Sequence, residues 1–216
     1  MSLIRVWGRL NSINVQKVMW TLDELDLAYA HIPAGGDFGG LDAPEFRAIN
    51  PHGKVPVIDD DGTIVWDSNA VVRYLCAEYG DGGLSPHAPR ARALVDRWMD
   101  WEATTLQPHV MGHFWGWWRT PQAKRDAVMN AELWRAAGAD WGKLDAVLAR
   151  APYLAGERLT MADIPAGTLA YRYFTLPLER PPLPHVQAWF ARLCERPAYQ
   201  RRVMVPYDDL FGRLAH

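Results

Sequence analysis

The sequence contains little cysteine. Its 216 residues include two, Cys76 and Cys194, which form neither a CxxC pair nor the spacing of a metal site. Each lies in an apolar stretch, so we expect two small buried thiols without a disulfide between them. The sequence therefore predicts no metal site and no redox thiol. Any sulfur chemistry would have to use a sulfur supplied by a ligand.

Strong net charge and long apolar runs are also missing. The net charge is −2 and the sequence pI is about 6.4, which disfavours nucleic acid as the main partner. No apolar run approaches the roughly 20 residues that span a bilayer, so we expect no membrane partner. The first ten residues, MSLIRVWGRL, lack the long apolar core of a signal peptide. The expected location is therefore cytoplasmic.

The first 80 residues alternate between strand and helix patterns. Strand patterns lie at residues 3–8, 28–33, 55–59 and 64–66, and helix patterns lie at residues 15–27, 43–50 and 68–80, the last capped by Ser68. A strand–helix–strand crossover makes the first two strands parallel, and the turn DDGT adds an antiparallel pair. We therefore predict an α/β domain, residues 1–80, with a mixed four-stranded sheet.

The remainder of the chain shows only helix patterns. Residues 81–89, DGGLSPHAP, read as a Gly- and Pro-rich linker. Helix patterns follow at 90–118, 123–148, 159–174 and 183–196, with a short terminal segment after them. Thr160 and Asp163 have the spacing of a capping box. We predict an all-helical domain over residues 90–216, for which 49% apolar residues and eleven tryptophans supply ample core.

One proline interrupts an otherwise clear strand pattern. In GKVPVID, residues 53–59, Val55, Val57 and Ile58 favour a buried strand. Pro56 lies among them, although proline has no N–H to donate to a sheet. Taken alone, this pattern indicates an edge strand that ends at a proline.

Three segments resemble the cytosolic glutathione transferase family, and the resemblance covers essentially the whole chain. They are NPHGKVPVIDDDGTIVWDSNAVVRYL (50–75), LTMADI (159–164) and NSINVQKVMW (11–20), the last similar to a bacterial branch with Ser or Thr near the start of helix 1. The resemblance implies a thioredoxin-like first domain followed by a helical one. It also implies a homodimer that uses glutathione as co-substrate and has no prosthetic group.

The resemblance assigns a glutathione site. It makes the bond before Pro56 cis, so that the backbone of Val55 pairs with the cysteinyl unit of glutathione. Asp67 and Ser68 would hold the γ-glutamyl head, because a helix N-terminus favours a carboxylate. Lys54 would meet the glycine carboxylate. The plain alternative is that the Asp-Ser pair only caps a helix.

The resemblance assigns activation of the thiol to Ser12, with Asn14 and backbone N–H groups as the other candidates. A free thiol has a pKa near ~8.5, and lowering it by about two units takes roughly 2.7 kcal/mol. One hydrogen bond to a charged group supplies about 1.5–3 kcal/mol, so one hydroxyl with a helix N-terminus is sufficient. Both residues are also good helix caps, which leaves capping as the alternative. Classes that use a Tyr in strand 1 or a Cys at position 12 are disfavoured, since Trp7 and Ser12 stand there.

The resemblance places the second substrate along the first long helix of the helical domain. The candidate pocket residues are Leu10, His109, His113, Phe114 and Trp117. Aromatic side chains favour a small hydrophobic or aromatic electrophile. Packing in the helical core or in a dimer contact is the alternative for each of these rings.

The predicted function is transfer of the glutathione thiolate onto such an electrophile. Glutathione-dependent reduction of disulfides or peroxides is an alternative, since two glutathione molecules could react without a protein thiol. A non-catalytic binding module of the same fold is a further alternative.

Overall fold

The computed structural model describes residues 3–214, and a four-stranded sheet forms the first part of the chain. Its strands are β1 (Ile4–Trp7), β2 (Tyr29–Ile32), β3 (Val57–Asp60) and β4 (Thr63–Trp66). Their order in the sheet is β2-β1-β3-β4, with β1 parallel to β2 and antiparallel to β3, and β3 antiparallel to β4. The predicted mixed sheet is confirmed.

Helices flank the sheet and make up the rest of the chain. They are α1 (Ile13–Glu24), α2 (Pro44–Ile49), α3 (Ser68–Tyr79), α4 (Pro89–Trp101), α5 (Gln107–His113), α6 (Ala127–Leu148), α7 (Asp163–Thr175), α8 (Pro184–Cys194) and α9 (Pro197–Arg202). Shorter 3-10 turns lie at Gly36–Phe38, Gln122–Lys124 and Asp208–Leu210. Within residues 3–214, no helix is long and apolar enough to cross a membrane.

The predicted helix over residues 90–118 is a single helical run with two wider turns. The π-helical segments Glu102–Leu106 and Phe114–Arg119 interrupt the α-helical geometry. A π segment re-aims the side chains around it, and such segments often lie at functional sites.

The caps and boundaries of the helices differ from the predictions at several points. The prediction that Ser68 caps α3 was wrong, because the carboxylate of Asp67 accepts the hydrogen bond from the Asn69 N–H at 3.0 Å. The helix predicted from residue 123 begins at Ala127, since Asp126 caps it through the Met129 N–H. The terminal segment contains the unpredicted helix α9, which begins at Pro197, a residue suited to the first turn of a new helix.

A shared apolar core joins the sheet part to the helical part. One face of α1 packs toward the sheet through Val15 and Val18. Its Trp20 packs into the helical core. A Cβ on Gly167 of α7 would lie 2.8 Å from the Trp20 ring, so glycine permits this close approach. The loop that precedes α1 is thereby held in a defined position relative to the helices.

A buried ion pair crosses the same boundary. The Lys17 Nζ of α1 lies 3.1 Å from an Oε of Glu102 and donates to the Gln107 Oε1 at 2.7 Å. Lys17 and Glu102 are almost completely buried. Gln107 lines the cavity described below, so this pair links the interdomain core to the site.

The start of α7 is held by a single buried carboxylate. Asp163 accepts hydrogen bonds from the N–H groups of Thr160 and Leu154, both at 3.0 Å, and from the Trp189 Nε1 at 2.9 Å. The predicted pairing of Thr160 with Asp163 is confirmed. Burial raises the pKa of Asp163 to about 6.

The two cysteines lie in the helical core region. Both are free thiols, Cys76 fully buried and Cys194 partly so. Burial raises the pKa of Cys76 to about 12 and also raises that of Cys194. Neither thiol lines the cavity.

Candidate functional site

A cavity of about 620 Å³ lies between the sheet part and the helical part. Its walls come from the loop between β1 and α1, the loop between β2 and α2, and residues 52–55 before β3. The helical side adds α5 and the π segment after it, with Arg172 of α7 and Leu210 near the C-terminus. The cavity is therefore built by segments far apart in the sequence.

Ser12 lies at the cavity in the N-cap position of α1. Its backbone is extended, as a cap residue requires, but its hydroxyl makes no hydrogen bond to the helix. Asn14 also lines the cavity, and its Oδ1 is buried without a hydrogen-bond partner among the described residues. The capping alternative for these two side chains has no hydrogen bond to support it.

The segment before β3 contributes backbone polar groups to the cavity. The Val55–Pro56 bond is cis, and β3 begins directly after it, at Val57. Among residues 3–214 the backbone N–H and C=O of Val55 have no hydrogen-bond partner. Lys54 and Val55 line the cavity, and Pro56 is buried behind them.

The sheet register brings the Asp-Ser pair next to this segment. Because Val57 is paired with Trp66, the chain continues with Asp67 and Ser68 alongside Pro56 and Val55. Asp67 is exposed and has a left-handed backbone with φ of 67°, and Ser68 is buried. Neither residue lines the cavity itself, so the pair lies beside its Val55 end.

Of the five predicted pocket residues, one lines the cavity and four do not. Phe114 is buried and lines the cavity. Leu10, His109, His113 and Trp117 do not line it.

The polar contacts of the histidines explain their placement. His113 is buried with its Nδ1 2.9 Å from the Asn130 C=O and its ring stacked on Trp117, and burial lowers its pKa. The His109 Nδ1 is 2.6 Å from the Asp140 Oδ2, on the side that faces α6. Both histidines serve the packing of α5 against α6.

Sequence reasoning missed three arginines of the cavity wall. Arg9 lies between β1 and α1, Arg119 ends the second π segment, and Arg172 lies in α7. Arg172 was the one charged residue in an otherwise apolar stretch, AGTLAYRYF, which is a signal for a buried charge with a specific role. The other two had no local signal, because exposed loop and helix arginines are common.

The family models match both parts of the chain. The model described as Glutathione S-transferase, N-terminal domain, matches residues 8–89, and the model for the C-terminal domain matches residues 106–197. Together they cover the β1–α1 loop, the cis-proline segment, α5 and α7.

Curated relatives and solved structures agree with these models. Glutathione S-transferase GstB of Escherichia coli strain K12 is 40% identical over 206 residues, covering 94% of this chain and 99% of the relative. Glutathione S-transferase 3 of Zea mays is 28% identical over 214 residues, covering 94% of each. The crystal structure of a theta class glutathione S-transferase from Xanthomonas axonopodis pv. citri with glutathione bound is 50% identical, with a TM-score of 0.91 over 95% of this chain and 99% of that one. The chain belongs to the glutathione S-transferase family.

Proposed function

We propose that this protein binds glutathione along the Val55 segment, stabilises its thiolate at Ser12 and directs it onto an electrophile in the cavity. One observation carries the proposal. A hydroxyl without a helix-capping bond lies in the same cavity as a backbone segment whose N–H and C=O have no partner in the described chain. An extended peptide with a thiol between two amides suits that pair of features.

The Ser12 hydroxyl donates a hydrogen bond to the thiolate sulfur in this proposal. The first N–H groups of α1 add the positive end of the helix dipole. These two contributions match the roughly 2.7 kcal/mol needed for a drop of about two pKa units, so no general base is required. The proton leaves to solvent, and Asn14 is the second candidate donor.

The two ends of glutathione have separate partners. The α3 N-terminus at Ser68 favours the γ-glutamyl carboxylate, and Asp67 attracts the amine. Lys54 is exposed at the cavity edge and suits the glycine carboxylate as a flexible point charge. The bound glutathione in the Xanthomonas axonopodis relative supports a site of this kind.

The electrophile occupies the end of the cavity at α5. Phe114, Met111 and Trp115 offer it apolar contact, which favours a hydrophobic or aromatic body. In the reaction the thiolate sulfur bonds to the electrophilic carbon, and a leaving group such as chloride departs with its electron pair.

A redox mechanism through a protein thiol has no support from the geometry. Cys76 and Cys194 lie outside the cavity, and burial raises the pKa of both. Disulfide or peroxide reduction would therefore need two glutathione molecules.

A two-arm assay tests the proposal. The pure protein with glutathione is offered a chloro-nitroaromatic in one arm and a hydroxyalkyl disulfide in the other. We expect turnover of the chloro-nitroaromatic and little reduction of the disulfide. Turnover of the disulfide alone would establish the redox alternative. Glutathione binding without turnover in either arm would establish the non-catalytic one.

A further inference from the structure

The end of the cavity proposed to bind the electrophile is lined by several positive charges. Arg9, Arg119 and Arg172 line it, and we refer to these three residues as the cationic wall. Among the described residues that line the cavity, the only carboxylate is that of Asp42, which is paired with Arg47 at 2.5 Å. The remaining cation of the lining, Lys54, lies on the other side, with the segment proposed to bind glutathione.

Arg172 is the most constrained member of the wall. It is 2% exposed, and its guanidinium is packed against the rings of Phe114 and Tyr207, at 4.4 and 4.7 Å from their centroids. One nitrogen, Nη2, donates to the Asn11 carbonyl. The Nε and Nη1 have no hydrogen-bond partner in the described chain. Buried charged donors without acceptors are costly, so a group of this kind indicates a missing partner.

The two neighbouring arginines add to the cost of burying the Arg172 charge. Arg9 donates to the Asn11 Oδ1 at 3.0 Å and forms no ion pair within residues 3–214. Burial is the main cause that lowers the pKa of Arg172 to about 10; the like charges of Arg119 and Arg9 act in the same direction, and Tyr207 and Asp209 act against it. The nearby acid Asp209 accepts from the Asn11 side chain at 2.8 Å and does not reach Arg172 as a partner.

We propose that the cationic wall is an anion-binding subsite and that the electrophile carries a carboxylate beside its apolar body, an inference that rests on the proposed function. Guanidinium groups bind carboxylates through charge-assisted hydrogen bonds, which are stronger in a partly dehydrated cavity. Phe114 and Met111 contact the body of the same molecule. The substrate class is therefore an organic acid with an electrophilic carbon, such as a halogenated aromatic carboxylate.

A pair of matched ligands separates this proposal from glutathione binding itself. S-(4-carboxy-2-nitrophenyl)glutathione and S-(4-carbamoyl-2-nitrophenyl)glutathione differ only in a carboxylate against a neutral amide. Calorimetry with the full-length protein should give about ten- to a hundredfold tighter binding of the carboxylate conjugate. Arg172→Met and Arg9→Gln should each remove most of that preference while the amide conjugate still binds.

Arg180→Met is the matched control. Arg180 is a half-buried arginine that, like Arg172, packs against aromatic rings, but it lies outside the cavity. Its loss should leave the preference unchanged. If Arg172→Met fails to fold, Arg9→Gln decides the question alone.

Three other outcomes would each overturn the proposal. Equal affinity of the wild-type protein for the two conjugates removes the subsite while glutathione binding stands. A preference that survives both variants removes the cationic wall as its cause. Failure of both conjugates to bind would refute the proposed function, and the subsite with it.

Discussion

Ser12 stands at a strand-to-helix corner, where a serine usually caps the helix that follows. Its hydroxyl makes no such bond here and remains available in the cavity. A serine at this corner can donate to a thiolate only if its hydroxyl is not already bonded to the helix, and Ser12 meets that condition. The proposed role can be separated from structural support by a conservative pair of variants.

Ser12→Ala should raise the pKa of bound glutathione toward its free value of about 8.5, because the thiolate loses a hydrogen bond. Turnover near neutral pH should fall about ten- to a hundredfold, with a smaller effect on glutathione affinity. Ultraviolet absorbance of the thiolate, titrated in the complex, measures the shift. Ser12→Thr keeps the hydroxyl and should stay close to wild type. Coinciding curves for wild type and Ser12→Ala would transfer the role to Asn14 or to backbone amides.

Asp67 has two tasks in our proposal, since it caps α3 and attracts the amine of glutathione. Asp67→Asn keeps an acceptor for the Asn69 N–H but removes the negative charge. We expect glutathione to bind about ten- to a hundredfold more weakly to this variant, as measured by calorimetry. Asp67→Ala should lose the cap as well and show a lower melting temperature. Unchanged affinity in Asp67→Asn would leave capping as the only role of the residue.

At the scale of elements, the start of α7 combines a sequence signal with a tertiary one. The spacing of Thr160 and Asp163 predicted the local bond. Asp163 also accepts hydrogen bonds from Leu154 and Trp189, which belong to other segments. Its fully buried carboxylate therefore connects three segments of the chain. Burial raises its pKa in the folded state above the ordinary value, so protonated Asp163 is favoured by folding.

The pH dependence of stability follows from that shift. The contribution of Asp163 is fully present below pH ~4, where both states are protonated, and is lost as the pH rises through about 6. A shift of about two units corresponds to about 3 kcal/mol. The free energy of unfolding of the wild type relative to Asp163→Asn should therefore fall between pH 4 and pH 7, by up to about that amount. Urea unfolding at several pH values measures it, and a difference independent of pH would contradict the assignment.

At the scale of the whole molecule, Lys17 and Glu102 tie the sheet part to the helical part. Burial raises the pKa of Glu102, and Lys17 counters that effect. Lys17→Met should cost about 3–5 kcal/mol of unfolding free energy, because Glu102 is left buried without its counter-charge. Adding Glu102→Gln to Lys17→Met should recover much of the loss. A double variant as unstable as Lys17→Met would mean that packing, not charge, explains the effect.

We also propose a homodimer, in which the α/β part of one subunit contacts the first helices of the other. Each of these two parts exposes a large apolar side chain in the single chain: Trp66 at the end of β4 and Leu94 on α4. Sedimentation at micromolar concentration should give twice the mass of the 24.5 kDa chain. Leu94→Glu should shift the equilibrium to monomer, whereas Val128→Glu, exposed on α6, should not. A wild-type monomer would contradict the proposal.

Features of the structure were predictable from the sequence where they depend on residues close together in the chain. The β-α-β order, the hairpin and the helix of Thr160 and Asp163 were predictable, since periodicity, turns and caps involve neighbours in the chain. The helix predicted for residues 90–118 was also correct in extent, but its π segments were not predictable. A π segment shifts the side chains around it relative to a regular 3.6-residue period. The period alone therefore could not show that Phe114 lines the cavity while His113 packs against Asn130.

The sequence alone determined the order of strands and helices in the first 80 residues and the family motif around Pro56, because both depend on residues that are consecutive in the chain. Tertiary structure decided the rest of the site. The sheet register set Asp67 beside Pro56, and the contact of α7 with α1 at Gly167 brought the two parts of the chain together. The cationic wall arises only there, since Arg9 and Arg172 are 163 residues apart in sequence and meet through chain folding. Long-range packing, unlike local periodicity, leaves no pattern that a single sequence displays.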